Sequence, residues 1–494
     1  MANIIRSYLG ILAIWIFLMI FIFLMPWDHQ KLYLISTTLY FCLFALWSAF
    51  REKQSFRTLA APFLAGYGLF SVLAAAILHF LPFSPIAFLN GKEFLALAMI
   101  SFILLGIFHT QWYAPDTDRK NWNMLIIPFL LAGMIGVLND FPVKEQFPGP
   151  SGSYAVGTSP FHFIDSDRKE ILTTKESDFR ELMLQFSFPI KKQSRLISSF
   201  YPNSKRLKTQ SIENESMVDN EEKFPLIIYS SGAGGNRFSN TQQIEELVSH
   251  GYFVLAIDHT FLVDTQFPDG RKIKAFDFDT DFSDLKKEEF MRKISLGVRL
   301  QDMLTSLEKV RKMSQDSSLS FYNRIDFENI GLFGWSIGGA AVGELCTNYP
   351  EIRAGVNLDG WDWMELPANT HFQTPFMYVQ SDRKEVSWKE LLIAGIGKET
   401  FEEREQMQTK YEDQLMKLSK TEVYRIRIDG SMHSNFRDHG FLQLGQLGSR
   451  DAKEITEISN RYLLAFFNKY LKGQTQDLLE ENWGKEEEIE FRRN

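Results

Sequence analysis

The chain has 494 residues, of which 45% are hydrophobic, 14% aromatic and 23% charged, with a formal net charge of −8. That length holds two or more domains, and an ordinary charged fraction excludes wholesale disorder. Two cysteines, Cys42 and Cys346, exclude a disulfide scaffold and a Cys-rich metal site, and the acidic balance excludes the basic face of a nucleic-acid binder.

The composition breaks near residue 145. Residues 1–145 hold 9 of the 53 Lys/Arg and 7 of the 61 Asp/Glu, leaving 44 and 54 for the remainder. Uncharged runs occupy 7–25, 32–50, 58–91, 94–115 and 121–139. A helix rises about 1.5 Å per residue and needs about 20 residues to cross the hydrocarbon, so the pattern predicts a transmembrane helical domain of about five spans over 1–145. The first run is too long for a cleaved leader and no small-residue cleavage site follows it. The fifth contains Pro128. Orientation follows from the short loops: Arg6, Arg51, Lys53, Arg57, Arg119 and Lys120 on one side against Lys31, Lys92 and Lys144 on the other. The richer side faces the cytoplasm, which predicts a multi-pass cell-membrane protein with the rest of the chain extracytoplasmic. His79 and His109 sit near predicted helix ends and no acid or base is buried mid-span, so the spans read as an anchor rather than a transport path.

A Pro/Gly/Ser-rich segment at 147–153 punctuates the chain and marks a linker, expected over 146–160. Strand-like runs follow at 159–164 and 180–189. Strands are then expected at 224–229, 252–257, 329–333, 354–358, 375–380 and 422–428, and helices at 242–249, 286–312, 339–348 and 451–471. Short apolar strands alternating with helices predict an α/β domain over 161–475, a mainly parallel sheet covered by helices on both faces. The charged stretch 476–494 is expected as a tail. The segment 383–420, with Trp388, Leu391, Leu392 and Ile393 in its apolar part, reads as a solvated amphipathic helix, with a lid or a membrane-facing cover as the alternative.

One motif carries chemistry. Gly334-Trp335-Ser336-Ile337-Gly338 follows an apolar strand and opens a helix pattern. A serine in so tight a strand-to-helix turn needs neighbours without side chains two residues away on each side, and the helix N-terminus beside it offers N–H groups to an attacked carbonyl. A nucleophilic Ser336 needs a base and an acid downstream. His371, His433 and His439 are the histidines with room for an acid before them. His433 lies just beyond the last strand, where a loop can present it. His371 precedes a strand and belongs at the opposite sheet edge. Asp359 and Asp382 each end a strand, Asp362 is a third choice, and spacing does not separate the first two. The Gly-rich turn Ser230-Ser231-Gly232-Ala233-Gly234-Gly235 after an earlier strand fits the second half of an oxyanion hole. No Lys-Ser/Thr follows it, so it is not a phosphate loop. Asp258 and His259, at another strand end, are expected in the pocket wall.

Six segments in order carry a resemblance: 152–158, 180–183, the Ser231-Gly-Ala-Gly loop, the Gly334-Trp-Ser-Ile-Gly-Gly elbow, Asn357-Leu-Asp-Gly360 and Met432-His-Ser-Asn-Phe436. Over roughly 150–470 they resemble the plasma and intracellular type II platelet-activating-factor acetylhydrolases and their bacterial relatives, within the α/β-hydrolases. The resemblance implies an α/β-hydrolase fold and a serine esterase without metal or cofactor. It implies Ser336 as nucleophile, His433 as base, Asp359 rather than Asp382 as acid, and the backbone N–H groups of Ala233 and Ile337 as oxyanion hole. It implies ester substrates such as phospholipids with short or oxidised acyl groups. Trp335 stands where the family commonly has His, and Ser231-Gly232 where it often has His-Gly; with His259, these residues are expected to line the substrate pocket. An acyltransferase or peptidase using the same triad, or a non-catalytic membrane sensor, are the alternative readings.

Overall fold

A computed structural model describes residues 147–192, 201, 208–213, 215–219, 221–276, 285–360, 369–382, 398–438, 451–480 and 489–494. All lie in one of the chain's two units, Val143–Asn494. The five apolar runs, Asp362, His439 and the apolar part of 383–397 fall outside the described residues. Among the described residues no helix is long and apolar enough to cross a membrane.

In chain order the strands are β1 Ala155–Lys169, β2 Phe179–Ile190, β3 Ser211–Glu213, β4 Phe224–Ser230, β5 Phe253–Asp258, β6 Thr265–Gln266, β7 Lys272–Ile273, β8 Ile325–Trp335, β9 Ile352–Leu358, β10 Phe376–Gln380, β11 Val423–Ile428 and β12 Ile489–Arg493. The helices are α1 Thr241–Ser249, α2 Leu285–Met313, α3 Ile337–Asn348, α4 Lys398–Leu418, α5 Ala452–Lys472 and the short α6 Asp477–Glu480. Among the described residues ten strands form one sheet in the order β12-β11-β10-β9-β8-β4-β5-β2-β1-β3. The six from β5 to β11 run parallel. At the flanks β2 joins β5, β1 joins β2 and β12 joins β11, each antiparallel.

The period of two along each strand sends alternate residues to opposite faces. On β4, Leu226 and Ile228 belong to a core with Met303 and Leu307 of α2, Leu345 of α3 and Leu415 of α4. Ile227 and Tyr229 belong to a second core with Leu247 of α1 and Ile458, Leu463 and Phe466 of α5. All seven β4 residues are buried, as expected of a strand covered on both faces. Both ends of the sheet reach beyond the expected domain bounds. β1 starts inside the anticipated linker, and Ile489–Arg493 of the anticipated tail pairs with β11. Its Ile-Glu-Phe-Arg-Arg sequence reads as charged because an edge strand keeps polar side chains toward solvent.

Candidate active site

Parallel strands end together at one edge of the sheet, so the residues following β4, β8, β9 and β11 are brought into one place. Ser336 sits between β8 and α3 with φ 56° and ψ −130°, a left-handed conformation that costs a non-glycine residue about 1–3 kcal/mol. The surroundings impose it: Ser336 N–H donates to the Leu358 carbonyl at 2.9 Å and its carbonyl accepts from Ala340 N–H at 3.1 Å. A Cβ on Gly334 would lie 2.4 Å from the Gly338 carbonyl, and one on Gly338 would lie 2.1 Å from the Ser230 carbonyl oxygen. Both glycines are therefore demanded by close backbone approach.

His433 opens a short 3-10 turn, His433–Phe436, shortly after β11. Its Nε2 lies 3.1 Å from Ser336 Oγ and its Nδ1 lies 2.7 Å from Asp359 Oδ2. A carboxylate only accepts, so Nδ1 carries the proton and Nε2 presents its lone pair to the hydroxyl. Asp359, just past β9, is 2% exposed, whereas the His433 side chain is 38% exposed. Ser381 steadies the acid, donating from its backbone N–H at 2.8 Å and from its hydroxyl to the same carboxylate. The other candidate acid acts one step away. Asp382 Oδ2 accepts the Gly430 N–H at 2.9 Å, and its own N–H donates to the Ser431 carbonyl; this fixes the turn that delivers His433. His371 lies before β10, at the edge where the parallel strands begin.

The segment after His433 is tied to the helix that follows the Gly-rich loop. Asp438 accepts the N–H groups of Thr241 and Gln242 at 2.7 and 3.2 Å, capping α1 where its own Asn240 makes no side-chain cap. Asn240 Nδ2 donates instead to the Phe436 carbonyl at 2.7 Å. In the loop, Ala233 is exposed, and Ile337, the first residue of α3, is half-buried beside Ser336.

The residues expected to line the pocket sit deeper. Trp335 is 3% exposed; β8 alternation places it with Phe333 in the core beneath α1 and α5, a signal the sequence did carry. Its Nε1–H donates to the His433 carbonyl at 3.1 Å, its ring stands 4.9 Å from the imidazole, and the Arg437 guanidinium lies 4.5 Å over it. It supports the histidine from below. Ser231 and Gly232 are buried, and His259 is fully buried behind the loop, between Ser230 and Asp302. Asp258 is likewise enclosed, paired with Arg237. Sequence reasoning gave no role to Ser381, Asp302 or Arg180. The visible signal was a charge, Arg180, at the head of an apolar strand run. Among the described residues no three His, Cys, Asp or Glu side chains form a group that could hold a metal ion.

A parallel sheet with a serine elbow, a histidine past the last parallel strand and an acid at an intervening strand end define the α/β-hydrolase class. The fold agrees with a solved ferulic acid esterase from Streptomyces cinnamoneus, at a TM-score of 0.56 and 23% identity, over 70% of this chain and 98% of that one. The sequence model of platelet-activating factor acetylhydrolase, isoform II, matches residues 179–488, and the chain belongs to that family. Relatives include the platelet-activating factor acetylhydrolase of Gallus gallus, 24% identical over 296 residues, and that of Canis lupus familiaris, 23% identical over 377. The match covers 51% of this chain and 63% of the chicken protein, and 66% and 78% for the dog protein.

Proposed function

We propose that this chain is a serine carboxylic ester hydrolase with Ser336, His433 and Asp359 as its catalytic triad. The observation that carries the reading is one imidazole bridging a half-buried serine hydroxyl at 3.1 Å and a buried carboxylate at 2.7 Å. Ser336 Oγ attacks the ester carbonyl carbon as His433 Nε2 takes its proton. The oxyanion of the tetrahedral intermediate meets the N–H groups of Ala233 and Ile337. Collapse breaks the ester C–O bond, His433 returns the proton to the departing alkoxide, and the acyl group stays on Ser336. Water then attacks the acyl-enzyme, passes its proton through His433, and releases the carboxylic acid and free Ser336. Asp359 holds the Nδ1–H tautomer throughout and stabilises the imidazolium.

The names of the relatives, acetylhydrolases of platelet-activating factor, support a phospholipid with a short acyl group as the substrate class. The apolar runs of 1–145 support a multi-pass anchor in the cell membrane, and the Lys/Arg asymmetry supports an extracytoplasmic hydrolase domain, within reach of lipid esters. The test is a fluorophosphonate probe applied to the full chain in detergent, with the modified peptide located by mass spectrometry. The reading expects one adduct per chain, on Ser336, together with a burst of one p-nitrophenolate per chain from p-nitrophenyl acetate. An unmodified Ser336, or an adduct elsewhere with no burst, contradicts it.

A further inference from the structure

Behind the Gly-rich loop lies a second serine–histidine–aspartate chain. Ser230 Oγ is 2.9 Å from His259 Nε2, and His259 Nδ1 is 2.9 Å from Asp302 Oδ2. All three residues are fully buried, so no substrate reaches Ser230 and this is not another active site. Asp302 is also gripped by Arg180, through Nε at 3.0 Å and a terminal nitrogen at 2.7 Å. Burial alone would push the Asp302 carboxyl up, but the Arg180 charge and the bonds from His259 and Arg180 hold it well below its ordinary value. Burial pushes the His259 imidazole down to about 4 against the pull of Asp302. A fixed anion facing a neutral ring sets the tautomer: Nδ1–H donates to Asp302, and Nε2 accepts the Ser230 hydroxyl proton.

One helical turn from Asp302 on α2, buried Arg299 donates from Nε to the Ser231 carbonyl at 3.3 Å. Residues three apart share a helix face, so α2 grips two successive residues of the strand-to-loop junction from the same side. In a trans peptide the N–H points opposite to the preceding carbonyl. Drawing the Ser231 carbonyl toward α2 therefore fixes the peptide that leads into Gly232, and the Gly232 carbonyl, which accepts the Gly235 N–H at 3.2 Å, in turn fixes the peptide that carries the Ala233 N–H. The front of the loop is packed against the nucleophile: a Cβ on Gly232 would lie 2.6 Å from Ser336 Cβ, and one on Gly338 would lie 2.1 Å from the Ser230 oxygen.

We infer that His259 and Ser230, braced by Asp302 and Arg180 and joined by Arg299 at Ser231, are positioning residues that hold the oxyanion loop 231–235 in its working geometry before substrate arrives. The inference rests on the serine-esterase reading. Donors fixed in advance stabilise a developing oxyanion without reorganisation, so loosening the brace costs turnover more than ground-state binding.

The test compares Ser230→Ala and His259→Gln with the wild type, as full chains in detergent. Sites are counted by fluorophosphonate titration; kcat per titrated site and KM are measured with p-nitrophenyl acetate. An aliphatic trifluoromethyl ketone, whose adduct places an oxyanion in the hole, supplies a transition-state affinity. The expected loss in kcat per titrated site is about tenfold for Ser230→Ala and about 10- to 100-fold for His259→Gln, with the ketone Ki rising in parallel and KM nearly unchanged. Ser230→Ala deletes one oxygen, so it keeps the test alive if His259→Gln does not fold. A merely structural role would lower the melting temperature and the number of titrated sites, leaving kcat per site and Ki within about twofold of wild type, and that result overturns the inference alone. A wild type that takes up no fluorophosphonate overturns the esterase reading and the inference with it.

Discussion

The acids at the ends of β9 and β10 differ in what their carboxylates hold. Asp359 accepts from the His433 ring, whereas Asp382 accepts from the Gly430 backbone two residues past β11. Asn at 359 would keep the shape but offer an amide N–H where the ring's N–H needs an acceptor, so Asp359→Asn should lose about 10⁴-fold in ester turnover. Asp382→Asn keeps an oxygen for the Gly430 N–H and should lose about tenfold or less, since it acts only through the turn. Steady-state kinetics on both variants checks this, and the reverse ranking would contradict the roles given to the two acids. At this scale the sequence discloses Ser336, because the elbow needs a local pattern of glycines. It leaves the acid open, because both strands present an aspartate at the same edge and the choice depends on where β11 delivers His433. The Arg180–Asp302–His259 brace stays hidden for the same reason: Arg180 and Asp302 are joined across 122 residues of chain.

Among the elements, α1 carries a buried acid whose titration can be followed. Glu245 Oε1 accepts the Gln210 N–H at 2.8 Å and the Ser211 hydroxyl at 2.6 Å, while Oε2 is buried without a partner among the described residues. Burial pushes its carboxyl up to about 8. Between its ordinary value of 4.5 and about 8 the folded chain binds the proton that the unfolded chain has lost, so this group's contribution to stability is full below 4.5 and falls as pH rises through that window. Glu245→Gln keeps an acceptor for both donors and does not titrate. Its melting temperature relative to wild type should therefore climb from pH 5 to pH 8 and level off above. A difference independent of pH, or one that shrinks as pH rises, would contradict the buried-acid account. The parallel strands were legible as elements because strands buried on both faces are short, uninterrupted apolar runs. The antiparallel flank was legible only in part. β1 extends to Lys169 through largely exposed residues, well past the three that pair with β3, and β12 hides in a charged segment because an edge strand keeps polar side chains toward solvent.

For the whole molecule, the composition break at about residue 145 sets an apolar region before the sheet that begins at Ala155. If the five apolar runs span the membrane, alkaline carbonate washing of membranes should leave the full chain in the pellet, and only detergent should release it. Release by carbonate alone would contradict the anchor. The hydrolase fold was legible at this scale from the order of its elements and six short motifs. What the sequence could not supply was the depth of Ser231 and His259, since burial depends on which elements lie over them, whereas alternation along β8 already placed Trp335 inside. The central claim, that an ester is cleaved through an acyl group on Ser336, is tested most directly by Ser336→Ala. Ser336 Oγ is the hydroxyl that His433 Nε2 faces, so the folded variant, with the melting temperature of the wild type, should lose about 10⁴- to 10⁶-fold in p-nitrophenyl acetate turnover. Turnover close to that of the wild type in the same folded variant would contradict it.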